Sequence, residues 1–129
     1  MTEEFVTLET AKLLKEKGFK EDVFTFYEVD CVEGDMILSE TYDESENFNE
    51  KNDCLSAPTQ SLAQKWLRET KNIHICVYNC ACGYGYEISK ADNGTHITSS
   101  VYEGPNDGGE WDTYEEALET GLQEALKLI

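Results

Sequence analysis

The tripeptide Asp92-Asn93-Gly94 lies between two runs rich in β-branched and aromatic residues, YGYEISK (84–90) and HITSSVY (96–102). Asn and Gly tolerate the positive φ that a tight hairpin turn demands, so this segment commits its flanking strands to antiparallel pairing. A further run, IHICVYN (73–79), precedes them. Earlier in the chain, VFTFYEV (23–29) and DMILSET (35–41) are joined by Asp30-Cys31-Val32-Glu33-Gly34, which predicts a second hairpin. With connections this short, an antiparallel sheet with helices on one face is the natural architecture.

Three amphipathic segments supply those helices. In 7–18, Leu8, Ala11 and Leu14 recur at helical spacing with Leu13 beside them, and Lys12, Lys15 and Glu16 face water. Thr7 is placed to cap the helix and Gly18 to end it, with Phe19 folding back onto Leu14. The second helix is predicted from Pro58 to Thr70, capped by Ser56, with Leu62, Ala63, Trp66 and Leu67 as its buried stripe. The third opens on the capping box Thr113-x-x-Glu116, and Leu118, Leu122, Ala125 and Ile129 line one face with Leu126 alongside. Gly121 in its middle costs about 1 kcal/mol relative to alanine, which points to close packing against the sheet.

The reading is thus an α+β fold with about five strands and three helices, in the order α-β-β-α-β-β-β-α. Leu13, Leu14, Leu62, Trp66, Leu118, Leu122 and Leu126 are expected to be buried. At 129 residues and 40% hydrophobic content the chain suits one domain, residues 1–129, with one packed core. Residues 42–55 are polar and acidic and are expected to form an exposed loop.

The formal net charge is −17, from 27 acids and 10 bases. Ten acidic residues and one lysine fall between Glu28 and Asp53, and eight acids with no base between Glu103 and Glu124. Such a chain is not expected to bind nucleic acid or an anionic membrane directly. No apolar run reaches membrane-spanning length, and MTEEFVTLET lacks the basic and apolar regions of a signal peptide, so the expected location is the cytoplasm. An odd number of cysteines, five, agrees with a reducing compartment. Asn93-Gly94-Thr95 matches a glycosylation sequon and is read as turn chemistry alone.

Motifs that would carry chemistry fail on spacing. His74-x-Cys76-x3-Cys80-x-Cys82 offers zinc-type ligands, but lacks the paired C-x2-4-C turns of a knuckle or ribbon. Small buried hydrophobes in a sheet are the expected role of these cysteines. His74 and His96 are the only histidines able to serve a cysteine nucleophile, and neither belongs to a nucleophile motif. Asp43, Ser45, Asn47 and Asn49 alternate like a calcium loop, yet Phe48 stands where glycine is needed and Cys54 where a bidentate glutamate is needed. Gly83-x-Gly85 does not open a helix and cannot cradle phosphate. Tyr78, Tyr84, Tyr86 and Tyr102 lack the basic neighbours of a nucleic-acid platform. The expectation is therefore no catalytic residue, no cofactor and no metal, and neither zinc nor a disulfide on the cysteines.

SAPTQSLAQKWLRE (56–69) and WDTYEEALETGLQEALKLI (111–129) resemble segments of a group of small uncharacterised bacterial proteins often found among prophage and mobile-element genes. The resemblance implies a compact accessory protein and supplies no catalytic residues. The expected function is a non-enzymatic module acting through a protein partner. One alternative is a nucleic-acid mimic that inhibits a DNA-binding enzyme. The other is a metal-binding or cysteine-dependent protein using Cys76, Cys80 and Cys82.

Overall fold

The computed structural model describes residues 3–30, 32–100 and 103–129. The elements in it are α1 (Leu8–Glu16), β1 (Thr25–Val29), β2 (Met36–Glu40), β3 (Cys54–Ser56), α2 (Gln60–Thr70), β4 (Ile73–Cys80), β5 (Gly83–Lys90), β6 (His96–Ser99) and α3 (Tyr114–Lys127). The chain divides into two units, Met1–Thr59 and Gln60–Ile129.

In the first unit, Thr7 caps α1 from an extended backbone, its Oγ1 accepting from the Thr10 N–H at 3.5 Å. The helix ends as its sequence requires. Gly18 takes φ +90°, Phe19 N–H donates to Leu14 C=O (2.9 Å) and Gly18 N–H to Lys15 C=O (3.2 Å). These are the two bonds of a Schellman end, with Leu14 and Phe19 both buried beside it. The strands form an antiparallel sheet in the order β2-β1-β3, with Phe26 facing Ser39 on one side and Ser56 on the other. A 3-10 turn at Phe48–Glu50 buries Phe48, whose ring stacks on Phe26 at 4.1 Å. Asn49 fastens that turn, donating to Phe19 C=O (2.9 Å) and accepting from Ser56 N–H (2.8 Å).

In the second unit, β4, β5 and β6 form an antiparallel sheet in that order. The Asn93-Gly94 turn joins β5 to β6, with Gly94 at φ +74° and Asn93 Oδ1 accepting from Thr95 N–H at 2.9 Å. Alternation along β4 and β5 puts Ile73, Ile75, Tyr86 and Ile88 on the buried face, and α3 packs on these two strands. Thr113 Oγ1 caps α3 through Glu116 N–H (3.1 Å). Helix α2 packs on α3 and β4, and Gln60 Nε2 donates to Glu115 C=O (3.0 Å) and Glu119 Oε1 (2.9 Å).

Several expectations need correction. Among the described residues the strands are six in two three-stranded antiparallel sheets, where about five in one antiparallel sheet were expected. The added strand, β3, lies in the stretch read as exposed loop, and Phe48 and Cys54 there are buried. A three-residue strand is too short to show periodicity; it exists because it fills the second edge of β1. Ser56 consequently belongs to β3 and does not cap α2, which starts at Gln60 and not at Pro58. Leu14, Trp66, Leu118, Leu122 and Leu126 are buried, whereas Leu13 and Leu62 are half-buried at the margins of their stripes. The expected end of the last strand at 101–102 lies outside the described residues.

Candidate functional site

The sequence draws attention first to His74, Cys76, Cys80 and Cys82. Even-numbered positions of β4 point away from the buried Ile73 and Ile75, so His74, Cys76, Tyr78 and Cys80 share the open face. Cys76, Cys80 and Cys82 are exposed and free, which corrects their expected role as buried hydrophobes. The face they occupy is the one that α3 does not cover. Cys76 faces Glu87 in the ladder, His74 faces Ser89, and Cys80 faces Gly83 at the hairpin end. Ser89 pairs in turn with His96, whose Nδ1 lies 3.0 Å from Glu87 Oε1. The fold thus brings Cys76, Glu87 and both histidines to one side of the sheet. Among the described residues, however, no three His, Cys, Asp or Glu side chains are close enough together to hold a metal ion.

Cys54, in the first unit, behaves differently. Burial raises its thiol pKa, and the carboxylate of Asp53, 3.7 Å from its sulfur, raises it further. It is a poor nucleophile for both reasons. Cys31 and Tyr102 lie outside the described residues. Of the remaining tyrosines singled out by sequence, Tyr86 is buried and stacks on Trp111 at 5.8 Å, Tyr84 meets Tyr114 edge-on at 6.2 Å, and Tyr78 is exposed.

A feature that sequence reasoning missed lies on the β1–β2 hairpin. Val29, Ile37 and Leu38 are exposed (49%, 40% and 45%), and Val32 at the turn is 92% exposed. Met-Ile-Leu at 36–38 carried the signal. Three consecutive apolar residues cannot all face one side of a pleated strand, so at least one had to point away from the core. Acids surround them: from Glu21 to Glu50 there are eleven Asp and Glu and no Lys, Arg or His. No family model, curated protein or solved structure matches the chain. The hairpin's chemistry must be read from its own residues.

The acidic side chains around it are mostly solvated. Asp43 and Glu44 are exposed as expected, while Glu46 pairs with Lys51 at 3.0 Å and raises the pKa of that ammonium. In the second unit Glu115 and Glu116 are exposed, but Glu119 is half-buried and accepts from Gln60. No helix among the described residues is long and apolar enough to cross a membrane.

Proposed function

We propose that this chain is a non-enzymatic protein-interaction module, of the prophage or mobile-element origin that its resemblance implies. The observation that carries the reading is the exposure of Val29, Ile37 and Leu38 on one acidic hairpin. Aliphatic side chains left in water on both faces of a hairpin, Val29 and Leu38 on one and Ile37 on the other, gain free energy when a partner covers them, and apolar groups rimmed by charge are the usual anatomy of a contact surface. The charge adds specificity: it speeds encounter with a basic partner and repels acidic ones.

The test is covalent capture in bacterial cytoplasm with a tagged chain, followed by mass spectrometry and reconstitution of the pair from purified components. A retained protein that binds the purified chain at about one to one supports the module. Two results would sink it: no protein retained, or a retained DNA-processing enzyme that duplex DNA displaces. The latter would favour a nucleic-acid mimic.

A further inference from the structure

We infer that the outer edge of β2 takes up an extended, basic and apolar segment of a partner protein as an added strand. The inference rests on the reading of the chain as an interaction module and names the chemistry of its partner.

The backbone bonds show which groups of β2 are free. Asp30 N–H donates to Asp35 C=O (2.6 Å) and Thr41 N–H to Phe24 C=O (2.8 Å), with unbroken register between them. Ile37 and Ser39 therefore bond toward β1, because alternate residues of an antiparallel strand point opposite ways. The other side of β1 obeys the same parity, with Ala57 N–H donating to Thr25 C=O at 2.9 Å. Met36, Leu38 and Glu40 thus aim their N–H and C=O groups outward. Among the described residues nothing pairs with them.

Two other strand edges are treated differently. On β3, Ser56 N–H is taken by Asn49 Oδ1 (2.8 Å) and Cys54 C=O by Lys15 Nζ (2.9 Å). On β4, Gln64 Nε2 covers Ile75 C=O (2.7 Å). Folded proteins blunt exposed edges with such caps, or with lysine, proline or a bulge. The strand Met36-Ile37-Leu38-Ser39-Glu40 has no lysine or proline, and its five pairs with β1 run without a register shift. It presents free backbone groups in a row, with Leu38 exposed on one face and Ile37 on the other. That is the form of a site for strand addition, where the backbone gives affinity and the alternate side chains give selectivity.

Charge selects the occupant. Glu33, Asp35, Glu40, Asp43 and Glu44 flank the edge and are exposed, with no base nearer in sequence than Lys20 and Lys51. A second copy would bring another net charge of −17 to the same edge, and nucleic acid would bring phosphates. A segment alternating aliphatic residues with Lys or Arg satisfies the backbone, the aliphatic side chains and the carboxylates together.

A synthetic peptide of about seven residues, alternating lysine and valine, is the probe, with its glutamate–valine counterpart as control. Binding is followed by fluorescence anisotropy and the site by amide hydrogen exchange on the whole chain. The basic peptide is expected to bind at low salt and to slow exchange at Leu38 and Glu40, while the acidic peptide does not bind. Leu38→Pro deletes an outward N–H without touching a bond to β1, and Leu38→Lys removes the aliphatic contact and adds a repelling charge. Each is expected to weaken binding at least tenfold, on the order of 1.4 kcal/mol. Should Leu38→Pro not fold, Leu38→Lys decides. Absence of binding, or binding that leaves both amides unprotected or ignores Leu38→Lys, overturns the inference. A captured cellular partner that binds wild type and Leu38→Lys equally overturns it too, yet leaves the module standing.

Discussion

Gly121 of α3 sits so close to Tyr86 of β5 that a Cβ on the glycine would lie 3.2 Å from Tyr86 Cγ, and 3.0 Å from Ile75 Cγ2. Neither neighbour has room to retreat. Both are buried, and the Tyr86 ring is fixed by its stack on Trp111 and by its hydroxyl, which donates to Glu103 Oε2 at 2.6 Å.

Two effects compete in Gly121→Ala. Alanine favours the helix by about 1 kcal/mol, while overpacking a full core costs about 1–3 kcal/mol. Because the neighbours are pinned, overlap is expected to win, with a net loss of about 1 kcal/mol in urea unfolding. Gly121→Leu should lose several times that. A more stable Gly121→Ala would show that α3 can lift away from β5 at little cost.

Tyr86 makes the alkaline stability of the chain measurable. Burial, and then the Glu103 carboxylate, raise its phenol pKa far above the ordinary value of 10.0. Above about pH 10 the unfolded chain releases this proton while the folded one keeps it, so the folded state binds more protons and stability falls as pH rises. The contribution is fully present below that pH. Tyr86→Phe should cost about 1–2 kcal/mol at neutral pH through the lost bond to a carboxylate. It should also flatten the alkaline decline, measured by urea titration between about pH 8 and 11. An equally steep decline in the variant would rule Tyr86 out as its source.

The four described cysteines should react in two classes. Cys76, Cys80 and Cys82 are exposed, whereas Cys54 is buried with a raised pKa. Under iodoacetamide at about pH 8, mass-spectrometric mapping is expected to find the first three alkylated at least tenfold faster. Cys54 should join them only in denaturant. Rapid labelling of Cys54 in the native chain would mean that β3 opens readily.

Salt should stabilise the fold. Ion pairs such as Lys51–Glu46 and Lys127–Glu124 are substantially exposed and worth little each. They stand against 27 acids and 10 bases. Raising salt from ~10 mM to ~1 M shortens the Debye length from about 30 Å to about 3 Å, so Tm is expected to rise. A Tm that falls would mean that attractive pairs outweigh the repulsion.

What the sequence determined by itself is local. Thr7 and Thr113 as caps, Gly18 with Phe19 at the end of α1, and the Asn93-Gly94 turn all depend on groups within a few residues of one another, so residue type is enough to place them. Gly121 was legible as well, since a helix tolerates a glycine in its middle chiefly where a side chain would not fit. Tertiary structure alone decided the rest. That β3 exists depends on a vacant edge of β1 some 25 residues away in sequence, and three residues carry no period of their own. The exposure of Cys76 and the burial of Ile75, neighbours on β4, depend on which side of the sheet α3 covers. The same holds for β2: its sequence reads as a short apolar strand of a hairpin, and its free outer edge becomes visible only once β1 is seen to pair with it on one side alone. Periodicity reveals that a strand has two faces and two edges, but only the packing of distant elements selects which of them meets water.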